Sequence, residues 1–130
     1  MCKVGDIILV ETFLQGGRCL PRHYFVVLST EGGTIQGLNF DIVCNMLSSF
    51  KNEEQRKKKL SYPGNFELVS SSIDKENKKD GFVKAEQLYF FNREKTDYRV
   101  VGNLLEEIFK KLIEYIENLD IPLEHITDNL

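Results

Sequence analysis

The sequence has few of the residues that build metal or disulfide sites. Among its 130 residues are only two histidines, His23 and His125, far apart and without a cysteine or carboxylate at ligand spacing, so no metal site is expected. The three cysteines, Cys2, Cys19 and Cys44, are odd in number and irregular in spacing, which argues against a disulfide framework and a zinc site. Cys44 lies in an apolar run and reads as a reduced core residue. No apolar run is long enough to span a bilayer, and Gly5 and Asp6 interrupt the start before a leader could form. Met1 reads as a true start, and the expected location is cytoplasmic with no membrane partner. An excess of positive charge is missing too: 17 Lys and Arg face 20 Asp and Glu, for a net charge of −3. That excludes a general nucleic-acid coat protein and confines any RNA binding to a local basic patch on an acidic body. Internal repeats are absent. What is present is an ordinary globular balance, 42% hydrophobic and 28% charged, in a length that suits one domain spanning 1–130.

The most informative stretch is Gly16–Leu28, Gly-Gly-Arg-Cys-Leu-Pro-Arg-His-Tyr-Phe-Val-Val-Leu. It reads as a glycine-rich loop that brings Arg18, Arg22 and His23 to the mouth of an apolar strand. Functional groups are often carried on loops held by a rigid scaffold. Two arginines beside an imidazole suit an anionic ligand, with phosphate as the first candidate.

Short, β-branched, glycine-bounded runs predict strands over 4–13 and 23–29, with a turn at Glu31–Thr34. A third strand is expected over 40–48, another over 66–69, and one or two short strands over 81–91. The charge run Lys51–Lys59 has no apolar face and reads as a solvated loop, a short exposed helix or a basic flap. Ser61–Asn65 is a Pro-Gly turn, and Ser70–Asp80 reads as a polar loop. The clearest helix is predicted over 103–119, with Leu105, Ile108, Leu112, Tyr115 and Leu119 as its apolar stripe. Asn103 is its expected N-cap, with Glu106 in capping-box position, and Pro122 lies beyond its end. A short second helix from Ile121, with His125 on a solvated face, is the expectation for the tail 120–130. The fold class is therefore α+β, mainly β: a small barrel or curled sheet over about 3–101 with a C-terminal amphipathic helix packed on it.

Taken in order, several segments resemble the MazF/PemK family of toxins from bacterial toxin–antitoxin systems, over about residues 3–119. They are Lys3-Val4-Gly5-Asp6-Ile7-Ile8-Leu9-Val10, Gly16-Gly17, Pro21-Arg22-His23 with the Phe25–Leu28 strand, Met46-Leu47-Ser48-Ser49, Tyr62-Pro63-Gly64-Asn65-Phe66-Glu67-Leu68 and Gly81–Leu88. The resemblance implies an SH3-like barrel of the CcdB/PemK type, a homodimer, metal-independent and cofactor-free cleavage of single-stranded RNA such as mRNA, and neutralisation by a small antitoxin protein. Two departures stand out. The family usually has Arg-Pro before its second strand, where this chain has Pro21-Arg22-His23, so the family's arginine aligns with Arg22 or His23, or less well with Arg18. The family's arginine after the Glu-Gln or Asp-Gln pair is replaced here by Leu88-Tyr89-Phe90.

On that reading Arg22 clamps the phosphate, since a guanidinium meets two phosphate oxygens at once. His23 assists proton transfer, the task imidazole suits near neutral pH. Ser48 hydrogen-bonds the phosphate or the 2′-OH. Gly17, Arg18, Ser49, Lys57, Lys58 and Tyr62 complete the expected RNA groove, Tyr62 and Tyr24 as possible stacking surfaces. Plainer roles stand beside these: His23 turned into the core, Ser48 capping a turn, and both tyrosines packing. Neighbouring residues of a regular strand face opposite sides, so Arg22 and His23 share a groove only if the strand is irregular there. Glu86 and Gln87 read as half-exposed strand residues. The alternative functions are a non-catalytic barrel acting as a protein inhibitor of the gyrase-poison type, or a binding module.

Overall fold

The computed structural model describes residues 1–75 and 79–130 and shows a mainly β, α+β chain. Strand β1 (Asp6–Gln15) turns directly into β2 (Arg18–Ser29). Gln15 pairs with Arg18, so the loop between them is Gly16-Gly17 alone. Both glycines have positive φ, +59° and +75°, the backbone that a two-residue hairpin needs to match the twist of its strands. The second strand thus starts at Arg18 rather than at residue 23. Arg18 and Arg22 are strand residues and not loop residues, because cross-strand pairing with β1 orders the chain right up to the glycines.

A small hairpin, β3 (Gly33–Ile35) and β4 (Leu38–Phe40), leads into β5 (Ile42–Ser49). The charge run forms a helix, α1 (Glu53–Leu60), with no buried residue. It owes its start to Asn52, which accepts from Gln55 N at 2.8 Å, while the Gln55 side chain accepts from Lys51 N at 2.6 Å. After it come β6 (Asn65–Leu68), a 3-10 turn at Ser70–Ser72 and β7 (Ile73–Lys75), a strand inside the stretch expected to be a loop. The remainder of that expected loop includes residues 76–78, which lie outside the described residues. Then follow β8 (Gly81–Lys84), β9 (Gln87–Phe91), β10 (Tyr98–Leu104), α2 (Glu106–Glu117) and β11 (Glu124–Ile126).

The main sheet runs β11-β9-β5-β2-β1-β10-β7, with β8 joining β5 to β6. Strand β5 serves two partners on one edge: Ile42–Cys44 pair with β9, and Leu47–Ser49 pair with β8. At the switch between them sits Asn45, fully buried. Its amide donates to Gln87 O at 2.8 Å and Ala85 O at 3.4 Å, bridging the gap between the β8 and β9 ladders on that edge of β5.

Both faces of the sheet are covered, which is why Ile7-Ile8-Leu9-Val10 and Phe25-Val26-Val27 are continuous apolar runs. Ile8, Val10, Phe25, Val27, Cys44, Tyr89 and Phe91 pack on one side. Ile7, Val26, Leu47, Leu68, Val83 and Leu104 pack on the other, under Ile108, Phe109, Leu112, Tyr115 and Ile116 of α2. The three free cysteines include Cys44 at the centre of the first core, and burial pushes its thiol pKa up.

The C-terminal third departs from expectation in three ways. Asn103 belongs to β10 and pairs with Asp6 and Asp74, so it cannot cap α2; its amide donates to Leu104 O. The position before the helix is Leu105, which makes no side-chain cap and is exposed rather than part of the buried stripe. The tail forms β11, a strand parallel to β9, in place of a second helix, with exposed His125 tilted against the Phe90 ring at 5.7 Å. Long-range pairing decides these cases: β10 and β11 exist because β1, β7 and β9 offer edges to pair with.

Candidate functional site

Arg22 projects from β2 into a cavity that residues of six other strands help to line. A cavity of ≈ 560 Å³ is lined by Leu9 of β1, Arg22, His23 and Tyr24 of β2, Leu47, Ser48 and Ser49 of β5, Leu68 of β6, Ile73 of β7, Gly81 of β8, Arg99 of β10, and Lys79. It opens on the face that carries α2, but no residue of α2 lines it. Strand alternation explains one row of the set. Leu9 pairs with Tyr24 on one side and with Arg99 on the other, so these three stand in a row on one face. Arg22 lies two residues along β2 from Tyr24 and shares that face. Ser48 and Ser49 are held by pairing with Phe82 and Gly81.

The charge of the lining is one-sided. Among the described residues it holds three cations (Arg22, Lys79 and Arg99), two serine hydroxyls and a phenol, and no carboxylate. Yet acidic residues outnumber basic ones, 20 to 17, in the whole chain. Among the described residues, the ion pairs are Arg56 with Glu53 and Glu67, and Lys110 with Glu106; none involves the three cavity cations. Arg22, Lys79 and Arg99 are exposed, while Leu9 at 5% exposure and Leu47 at 8% form an apolar floor. Cations on the walls over an apolar floor suit an anion that also has a flat or apolar part.

His23 borders the cavity, but its ring belongs to the opposite face. It stands edge-on to Phe13 at 6.4 Å and to Phe25 at 6.3 Å. Burial holds its pKa below the ordinary value, a hydrogen bond to the Leu47 backbone pulls it the other way, and the Lys84 charge lowers it further. A neutral imidazole in an aromatic setting is a packing residue that reaches the cavity by its edge.

Of the residues expected in the site, the fold brings together Arg22, His23, Ser48 and Ser49. It does not bring Gly17 or Arg18, which sit at the hairpin tip, roughly 13 Å of strand away from Arg22. There Gly17 N donates to Asp128 at 3.4 Å. Nor does it bring Lys57, Lys58 or Tyr62, which lie exposed on α1 and the turn after it. Glu86, expected half-exposed, is instead buried in the β8–β9 turn, away from the cavity lining. Burial raises its carboxyl pKa, and Oε2 has no hydrogen-bond partner among the described residues.

Arg99 and Lys79 were not expected in the site. Arg99 carried one faint signal: it alternates with Tyr98 and Val100 in a β-branched run that reads as a strand once its partner β1 is known. Among the described residues, no three His, Cys, Asp or Glu side chains converge as metal ligands would. Among the described residues, no helix is long and apolar enough to cross a membrane. A scan against protein-family models finds no match, and a search of curated proteins finds none.

Proposed function

We propose that the chain is a toxin-type endoribonuclease with the SH3-like barrel of the MazF/PemK family it resembles, cutting single-stranded RNA at the cavity between β2, β5 and β10. The observation that carries this reading is that Arg22 and Ser48, from separate strands, line one cavity whose described lining residues include three cations and no carboxylate. In the reaction, the 2′-oxygen bonds to the adjacent phosphorus and the bond from phosphorus to the 5′-oxygen breaks. The products are a 2′,3′-cyclic phosphate and a 5′-hydroxyl end. One proton leaves the 2′-oxygen and one reaches the 5′-oxygen, so no co-reactant is consumed.

Arg22 meets the non-bridging phosphate oxygens and stabilises the charge that grows on them in the transition state. Ser48 donates to the phosphate or orients the 2′-OH. His23 has no part in proton transfer on this reading, because its ring is committed to Phe13 and Phe25. The cationic walls are also the surface that an acidic antitoxin segment would cover.

The test is incubation of folded protein with mixed-sequence single-stranded RNA in EDTA. Cleavage to cyclic-phosphate ends is expected, and Arg22→Gln should slow it by about 100-fold or more, the usual loss for one transition-state donor. Intact RNA would overturn the reading. A cavity without a positioned base also suits a pure binding module, and strand binding without cleavage would point there.

A further inference from the structure

We propose that Arg99 holds a second phosphate of the bound strand, so that the nucleic acid crosses the sheet at a steep angle to the β-strands, from Ser48 to Arg99. This rests on the proposed RNA-binding reading of the cavity and deepens it by giving the ligand a path. The argument is one of register. Strand order across the site is β5-β2-β1-β10. Ser48 is on β5, Arg22 and Tyr24 on β2, Leu9 on β1 and Arg99 on β10, so the lining crosses three strand gaps.

Neighbouring strands are about 4.8 Å apart, and residues advance about 3.4 Å along a strand. Arg99 is therefore two gaps from Tyr24, roughly 10 Å across Leu9, and the diagonal from Arg22 to Arg99 is about 12 Å at the backbone. That span is wider than one phosphate group and fits successive phosphates of a single strand. The floor between the two arginines is Leu9 and Tyr24, an apolar and aromatic surface on which a base can lie. Alternation on β10 turns Val100 toward the other face while Arg99 faces the cavity. A salt-bridging role for Arg99 has no support, since it forms no ion pair among the described residues.

The probe is a fluorescent, mixed-sequence, fully 2′-O-methylated single strand, which cannot be cut by 2′-OH attack. Its affinity is measured against salt for the wild type, Arg99→Gln, Arg22→Gln and the double variant. Each lost phosphate contact on a single strand should flatten the slope of log affinity against log salt by about 0.7, and the double variant by about 1.4. Lys110→Gln, on exposed α2, should leave the slope alone. In the cleavage assay Arg99→Gln should raise KM severalfold with kcat held, whereas Arg22→Gln should lower kcat. An unchanged slope in Arg99→Gln overturns the proposal. So does a double variant no flatter than Arg22→Gln alone, because both arginines then grip one phosphate. A wild type that binds with this slope pattern but cuts no RNA removes the nuclease reading and leaves the second phosphate site standing.

Discussion

Replacing Gly81 with alanine tests both the fold and the site at one atom. Gly81 pairs with Ser49 where β8 meets the end of β5, and it lines the cavity. Its φ does not lie in the left-handed region, so an alanine backbone is allowed. The obstacle is space. A Cβ built there runs into the Ser48 carbonyl oxygen, with Ser48 C at 3.0 Å and Ser49 Cα at 3.1 Å. All three are backbone atoms, and no rotamer change can clear them. Strand β8 has to draw back from β5. Overpacking of this kind costs about 1–3 kcal/mol, and the loosened end of the ladder adds about 1 kcal/mol for a hydrogen bond. With a urea m-value of about 1.5 kcal/mol/M, a total of about 2–4 kcal/mol lowers the unfolding midpoint by roughly 1.3–2.7 M. Since the same ladder positions Ser48, cleavage should fall about 100-fold under conditions where the variant is fully folded, the usual effect of a shift near 1 Å in a reacting group. Gly64→Ala is the control. Its Cβ would meet the end of the Glu86 side chain and Tyr62 Cε2 at 2.6 Å, both of which can swing aside, so its cost should stay near ~1 kcal/mol. Equal midpoints for the two variants, or a Gly81→Ala protein within about 0.5 kcal/mol of wild type, would refute the backbone-contact argument.

Leu112, on the sheet-facing side of α2, is fully buried, and Leu112→Ala should cost about 2–5 kcal/mol in urea unfolding, since the helix cannot close the cavity left behind. Ser48 is only half-buried, so Ser48→Ala should leave the urea midpoint unchanged while slowing RNA cleavage by about 10²-fold; equal rates would remove its hydroxyl from the chemistry. His23 gives an acid-stability prediction. Burial lowers its pKa in the folded chain below the ordinary 6.5. The unfolded chain therefore takes up the proton first as pH falls, and stability is lost from about 6.5 downward until the folded value is passed. His23→Phe removes that loss, so urea midpoints at pH 7 and pH 5 should lie closer together than in wild type; equal spacing in both proteins would contradict the burial of the ring.

Local pattern revealed the parts of this fold that local pattern builds. The Gly16-Gly17 break, the apolar runs of β1 and β2, and the stripe through Ile108, Leu112 and Tyr115 were all legible. What stayed hidden depends on pairing partners far away in sequence. Arg18–Pro21 looked like loop because no apolar alternation marks it, yet β1 supplies its ladder. Asn103 has the composition of an N-cap, but the edge between β1 and β7 claims it for a strand. The candidate site shows the same division. Arg22 and Ser48 were marked by their flanking strands, while Arg99 becomes a cavity residue only through its register with Leu9. The basic helix α1 attracted an RNA-binding reading by its charge alone, and charge carries no information about which wall of the molecule it occupies.

If the cavity cleaves RNA as proposed, the orientation of His23 has a kinetic consequence that distinguishes it from acid–base ribonucleases. Where an imidazole moves the proton, the rate follows its ionisation and bends between about pH 5 and pH 8. Here the ring packs against Phe13 and Phe25, and the lining offers arginines, serines, a lysine and a tyrosine in its place. Guanidinium stabilises charge but cannot act as a base near neutrality. On the proposed reading the 2′-OH proton passes to solvent, so the rate should climb about tenfold per pH unit from pH 6 to 8, as for catalysis by hydroxide. That slope is measured under single-turnover conditions on one RNA, with His23→Gln alongside. The two proteins should trace parallel lines. A wild-type curve that levels off or turns over in this range, and straightens in His23→Gln, would return the proton-transfer role to His23. The cavity would then have to admit the ring by a rotation away from Phe13.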